Sequence, residues 1–202
     1  ALRGSRHPLV DDAFPNLIGG PGAPAFIYVA PRHAYHIKPA LSGWLGHAAP
    51  FAFDLDYRPG QGIERMRVGT PPVLQMTALE CALDIWDMAD MAEVRAKSME
   101  LTDLFVDLVE CKCPQLTLAS PRDAARRGSQ VSFRFEQGYA AMQALIARGV
   151  IGDFRMPDVM RFGFTPLYID VNDVRQAVDI MADVMENKLW DRDEYKVRAA
   201  VT

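Results

Sequence analysis

The sequence predicts an α/β or α+β domain from about residue 70 onward, preceded by a loop-rich segment, residues 1–72. Three observations carry this. Beyond Thr70, stretches with apolar residues every three or four positions alternate with short β-branched and aromatic runs, which places a small α/β domain over residues 73–202. Before it, glycine and proline crowd the chain at Gly19-Gly20-Pro21-Gly22-Ala23-Pro24, Pro59-Gly60-Gln61-Gly62 and Gly69-Thr70-Pro71-Pro72, a pattern no independent helical domain tolerates. The composition is that of an ordinary globular chain: 202 residues, 50% hydrophobic, 24% charged and 9% aromatic. A chain of this length buries a core without staples.

Each element has its own signal. Ala25 to Val29 is short and wholly apolar, as buried strands are, and reads as a sheet edge that bears binding loops. Thr70 before Pro71 and Pro72 reads as a helix start with the hydroxyl as cap, and Met76, Leu79, Leu83 and Trp86 then form one stripe. Asp90 with Glu93 predicts a capping box for a second helix carrying Val94, Leu101, Leu104, Phe105 and Leu108. Strands follow at Leu116 to Ala119 and Val131 to Phe135, the latter alternating Val, Ser, Phe, Arg, Phe. Tyr139, Met142, Leu145 and Ile146 make a short helix that Gly149 ends. Val150 to Phe154 and Met160 to Phe164 are two more strands. Val174, Ala177, Val178, Met181, Val184 and Met185 line a long amphipathic helix, with Asn172 or Asp173 as its cap.

Charge and cysteine usage narrow the function classes. With 22 Lys and Arg against 26 Asp and Glu, the net charge of -4 argues against nucleic acid or an anionic membrane as partner. Cys81, Cys111 and Cys113 are an odd count that suits reduced thiols and a cytoplasmic setting. No apolar run approaches the ~20 residues of a membrane span, and no signal-peptide core is present. The chain starts without Met, as a fragment or processed product would. Cys111 and Cys113 lack a second ligand pair, so no metal is expected. His33 and His36 would share a face only in a helix, which Pro31 and Pro39 discourage. Arg122, Arg126 and Arg127 read as a solvated basic loop. No nucleophile elbow, Walker loop or dinucleotide fingerprint occurs.

Three clusters could carry chemistry, each with a plainer alternative. Gly19-Gly20-Pro21-Gly22 lets backbone approach a ligand, or simply reverses the chain. Ser42-Gly43-Trp44-Leu45-Gly46-His47 offers an aromatic wall with a polar donor, or a packed loop with a satisfied His. Arg161 heads the otherwise apolar run Phe162-Gly163-Phe164-Thr165-Pro166-Leu167-Tyr168, where its guanidinium meets either a ligand anion or an internal acid.

Those clusters, with Val68-Gly69-Thr70-Pro71-Pro72, Arg127-Gly128-Ser129-Gln130-Val131-Ser132-Phe133 and Gly149-Val150-Ile151-Gly152-Asp153, closely resemble the C-terminal portion of bacterial kynureninases, from about Gly19 to Thr202. The resemblance implies the C-terminal part of a fold-type I, pyridoxal-5'-phosphate-dependent transferase fold: a remnant of the large cofactor domain to residue 72, then the small α/β domain. It implies a cytoplasmic homodimer with its active site at the dimer interface. The reaction implied is hydrolysis of the small molecule L-kynurenine (or 3-hydroxykynurenine) to anthranilate (or 3-hydroxyanthranilate) and L-alanine, in tryptophan breakdown and NAD biosynthesis. By the same resemblance Trp44 and Thr70 hold the cofactor phosphate and Arg161 grips the substrate α-carboxylate.

The sequence also departs from the family. Where the family reads Tyr-Lys-Tyr-Leu-Asn, with the Schiff-base lysine, this chain reads Phe14-Pro15-Asn16-Leu17-Ile18, and residues 1–18 are otherwise unlike it. Pro15 has no amine and Phe14 no hydroxyl. The family's ring-stacking aromatic and pyridine-pairing Asp lie further N-terminal, outside this chain. A truncated or frame-altered gene would give this pattern, and the chain alone is expected to be inactive. The alternatives are a non-catalytic dimerising or phosphate-binding remnant, and a related pyridoxal-phosphate desulfurase or aminotransferase.

Overall fold

The computed structural model describes residues 9–13 and 24–197. Phe14 to Ile18, with Pro15, and the Gly19-Gly20-Pro21-Gly22 turn lie outside the described residues. Contacts divide the chain into two units, Ala1–Met88 and Ala89–Thr202. The composition change at Pro72 falls inside the first.

In the first unit, β2 (Ala25–Val29) pairs antiparallel with β1 (Leu9–Ala13). Its wholly apolar run suggested burial, yet among its described side chains Val29 is buried, Tyr28 half-buried and Ile27 exposed. A two-stranded ribbon cannot cover both faces of either strand. Pro31, expected to discourage a helix, instead opens the one-turn α1 (Pro31–Ala34), because a missing N–H is harmless in a first turn. Among the described residues no cluster of three His, Cys, Asp or Glu could hold a metal. Short 3-10 turns follow at Trp44–Gly46, Pro50–Ala52 and Gly62–Met66. The helix α2 (Val73–Asp87) starts later than expected: Pro72, not Thr70, is its N-cap, and no side chain caps it. A residue preceding proline is driven to extended backbone, and Thr70 and Pro71 both precede one. Of the predicted stripe, Leu79 is buried, Trp86 half-buried, and Met76 and Leu83 are exposed.

The second unit is a four-stranded antiparallel sheet backed by helices, its strands ordered β3 (Thr117–Leu118), β4 (Gln130–Arg134), β6 (Val159–Gly163) and β5 (Asp153–Arg155). The helix α3 (Met91–Lys112) begins at Asp90, whose carboxylate accepts from the N–H groups of Ala92 and Glu93. Then come β3 (Thr117–Leu118), β4 (Gln130–Arg134), α4 (Gly138–Ile146), β5 (Asp153–Arg155) and β6 (Val159–Gly163). After α4, Gly149 takes φ +87, a left-handed turn that lets Val150 N–H return to Leu145 O at 3.0 Å. The last long helix, α5 (Val171–Glu186), is capped by Asp170 rather than by Asn172 or Asp173. Asp170 accepts from the Asp173 N–H, and Asp173 closes the box by accepting from the Asp170 N–H. A single turn, α6 (Asp193–Lys196), follows. Among the described residues no helix is long and apolar enough to cross a membrane.

Strand alternation decides what the sheet presents. Val131 and Phe133 of β4 stand opposite Phe162 and Met160 of β6, and all four are buried with Phe105 and Val109 of α3, Leu145 of α4 and Val178 and Met181 of α5. The other face carries Ser132 opposite Arg161, and Arg161 opposite Asp153.

Arg127, expected on a solvated loop, is instead buried, its side chain 2% exposed. Its guanidinium donates to Pro121 O at 3.0 Å, Arg122 O at 2.6 Å and Thr102 Oγ1 at 3.2 Å, and pairs with Asp103. Arg95 of α3 grips the same loop through Ala124 O and Arg127 O. Fork geometry allows one side chain to donate to two backbone carbonyls, a hydroxyl and a carboxylate at once. Removing one partner of a buried pair costs 3–5 kcal/mol when the other is trapped; Asp103 is half exposed and rehydrates, so Arg127→Ala should cost about 3 kcal/mol. Arg127→Lys should recover less than half of that. Urea unfolding monitored by circular dichroism measures both, and a loss below ~1 kcal/mol for the alanine would contradict the assignment.

Candidate functional site

Two places gather the residues singled out by sequence, one on each unit. On the first, Gly43 opens the Trp44–Gly46 turn in extended backbone. A Cβ on Gly43 would lie 1.7 Å from Val68 O, and one on Gly46 would lie 2.6 Å from Arg67 O. Only glycine lets these two backbone segments seat on each other. The seating puts Gly69 beside the indole: a Cβ there would be 3.9 Å from Trp44 Nε1. Thr70 is the next residue and is exposed, its hydroxyl not spent on capping α2. Trp44 itself is 48% exposed, edge-on to Phe51 at 5.7 Å, and among the described residues its N–H has no hydrogen-bond partner.

His47 is the satisfied histidine of the plainer alternative. Its Nδ1 accepts from Ala49 N–H at 3.0 Å, which leaves Nε2 to donate to Asp56 O at 3.2 Å. Tyr57 Oη donates to Gly46 O at 3.0 Å. Trp44, His47 and Tyr57 line an open cavity of about 460 Å³. Arg65 secures the corner from behind, donating to Tyr35 O at 2.8 Å and Gly60 O at 3.2 Å. Nothing in the local sequence singled out Arg65, since its partners lie as far as thirty residues away.

On the second unit, Arg161 sits on the outer face of β6, its side chain 30% exposed. Asp153 of β5 meets it in register: Nε donates to Oδ1 at 2.5 Å and Nη2 to Oδ2. Arg155 lies 3.5 Å from the same Oδ2. Hydrogen bonding and charge from Arg161 hold the Asp153 carboxyl below its ordinary value, and the pair raises Arg161 in turn. Sequence reading named Asp153 only as the end of a motif. Its eight-residue distance from Arg161 across a hairpin was the available signal. A cavity of about 430 Å³ lies elsewhere on this unit, lined by Phe105, Phe162, Phe164 and Arg148, and does not include Arg161.

The cysteines do not form a site. Burial pushes the Cys113 thiol up to about 11, while Cys81 and Cys111 are exposed. At pH 8 iodoacetamide should therefore modify Cys81 and Cys111 and spare Cys113 until urea unfolds the chain. Mass spectrometry reads the site occupancy, and early labelling of Cys113 would contradict its burial.

The comparisons with known proteins agree with this architecture. A family profile described as the kynureninase C-terminal domain matches residues 94–181. Kynureninase from Pseudomonas fluorescens is 48% identical over 188 residues, which are 92% of this chain and 45% of that protein. Kynureninase from Burkholderia mallei is 50% identical over the same span and share. Among solved structures, a cysteine desulfurase from Thermococcus onnurineus overlays with a TM-score of 0.73 at 13% identity, covering 92% of this chain and 49% of that one. A cysteine desulfurase from Escherichia coli gives 0.68 at 15%, covering 93% and 47%. A C-DES mutant with glycine covalently linked to its PLP cofactor gives 0.63 at 18%, covering 80% and 43%. At these identities the structural likeness speaks for fold alone, and that fold is the C-terminal part of a fold-type I chain. Residues 94–181 thus match the kynureninase C-terminal domain profile, and over 92% of its length the chain is similar to curated kynureninases of which it spans about 45%.

Proposed function

We propose that this chain is the C-terminal part of a cytoplasmic, homodimeric kynureninase that uses pyridoxal 5'-phosphate to hydrolyse L-kynurenine or 3-hydroxykynurenine to the matching anthranilate and L-alanine. Residues 1–72 belong to its large domain and 73–202 to its small one. Trp44 and Thr70 take the cofactor phosphate, and Arg161 takes the substrate α-carboxylate. The observation that carries the reading is the Trp44–Thr70 corner. The indole N–H, without a hydrogen-bond partner among the described residues, stands beside Gly69. The uncapped Thr70 hydroxyl is on the next residue in the chain and the first-turn N–H groups of α2 begin three residues after it, and all three are the kinds of donor a phosphate monoester needs. When bound, the cofactor acts as an electron sink for cleavage of a carbon–carbon bond. The chain's own residues bind and orient: Trp44 and Thr70 hold an anion at a rigid corner, and Arg161 holds a carboxylate by a planar fork. Phe51, Phe53 and Leu55 stand exposed near the same corner, which supports a second copy as cover.

Pro15 favours a second reading for the chain taken alone, that of a phosphate-binding, dimerising remnant without catalysis. Pyridoxine 5'-phosphate, which lacks the aldehyde and so cannot link to lysines, tests the shared part. Calorimetry should find it bound at least tenfold more tightly than pyridoxine, and Trp44→Phe or Thr70→Ala should each remove about tenfold. Equal affinity for the two compounds in the unaltered chain would remove the phosphate assignment.

A further inference from the structure

The guanidinium of Arg161 is held on one edge only. Of its five N–H groups, the Nε–H and one on Nη2 are taken by the two oxygens of Asp153. Among the described residues Nη1 has no hydrogen-bond partner. What remains is the end-on edge, where one N–H of each Nη points the same way, and that edge matches a second carboxylate.

Asp153 is placed there by backbone rather than by chance of rotamer. It pairs with Arg161 across the β5–β6 ladder. The residue before it, Gly152, admits no side chain: a Cβ would lie 2.7 Å from Arg161 O and 2.8 Å from Met142 Cε. On the other flank Ser132 of β4 faces Arg161 and is buried. Arg161 and Arg155 together outweigh the single Asp153 charge, so the cluster keeps one positive charge for an incoming anion. An exposed ion pair of this size adds little to stability, so holding the fork in one orientation is its main effect.

We infer that Asp153 is a positioning residue: it occupies the Nε edge of Arg161 and so presents the end-on edge, and only that edge, to a ligand carboxylate. The inference rests on the proposed role of Arg161 but is separable from it. The experiment is nitrogen-15 NMR of the arginine side chains in the whole chain, with L-kynurenine as probe and the Arg161 signals assigned by their loss in Arg161→Lys. Kynurenine should shift the Nη signals and leave the Nε–H resonance in place. Asp153→Ala should lose the distinctive Nε–H resonance and weaken kynurenine about tenfold, with Asp153→Asn between the two. Circular dichroism checks that the variants fold; should the alanine fail, the asparagine and the Nε-against-Nη pattern of the unaltered chain decide. If Nε–H shifts together with Nη, the ligand displaces Asp153 and the inference is wrong. Unchanged affinity in Asp153→Asn, with binding lost in Arg161→Lys, overturns the positioning role alone. Unchanged affinity in Arg161→Lys, or no binding by the unaltered chain, overturns the carboxylate assignment beneath it.

Discussion

Incubated with pyridoxal phosphate and L-kynurenine, the 202-residue chain should release no anthranilate above the uncatalysed rate, and borohydride should fix the cofactor on no single lysine. The proposed chemistry needs a primary amine that anchors the cofactor and then moves a proton on the substrate. Pro15 stands where the resemblance places that amine. The lysines present are Lys38, Lys97, Lys112, Lys188 and Lys196, and the fold commits several elsewhere. Lys97 donates to Pro166 O at 2.7 Å, Lys112 pairs with Asp179 and Lys196 with Asp191. Replacing Phe14-Pro15-Asn16 by Tyr-Lys-Tyr should not restore turnover by itself. Restoration should need that graft together with the N-terminal half of a kynureninase, in cis or as a second chain. Anthranilate release coupled to a reducible adduct on one lysine of the unaltered chain would overturn the expectation.

The largest stability effect should come from Phe105. It is 2% exposed at the centre of the second unit, with the rings of Phe133, Phe162 and Phe164 at 6.0, 5.2 and 5.1 Å. Phe105→Ala removes two edge-on ring contacts and one tilted one, and leaves a cavity that a sheet strand on one side and a helix on the other cannot close. About 4 kcal/mol should be lost. Phe105→Leu keeps most of the volume and should lose about 1.5 kcal/mol. In urea both should lower the midpoint at constant slope, and a loss under ~1 kcal/mol for the alanine would show that the cluster does not hold the unit together.

Local rules read most of the second unit from sequence because its signals are local. Asp90 and Glu93 announce α3, Gly149 ends the segment after α4, and the Val131–Phe135 alternation sets which face of β4 is buried. The misreadings have local causes too. Thr70 looked like a cap until the extended backbone imposed by two successive prolines is counted, and Asp170 sits one turn-start earlier than the caps considered. Arg127 shows the limit of composition: neighbouring Arg122 and Arg126 are exposed, and nothing nearby in sequence says that the third guanidinium turns inward to Thr102. The site was legible only as parts. That Trp44 stands beside Gly69 depends on Gly43 seating under Val68, and that Arg161 meets Asp153 depends on hairpin register. Both are facts of tertiary pairing.

The seating of Gly43 has a thermodynamic consequence for whatever anion binds at Trp44. With Val68 O above Gly43 and Arg67 O above Gly46, the turn has no room to slide, and its ordering is complete before any ligand arrives. Binding there then carries no loop-ordering entropy and buries little new apolar surface. Its heat-capacity change should be close to zero, and its association rate should be governed by diffusion and charge rather than by a conformational step.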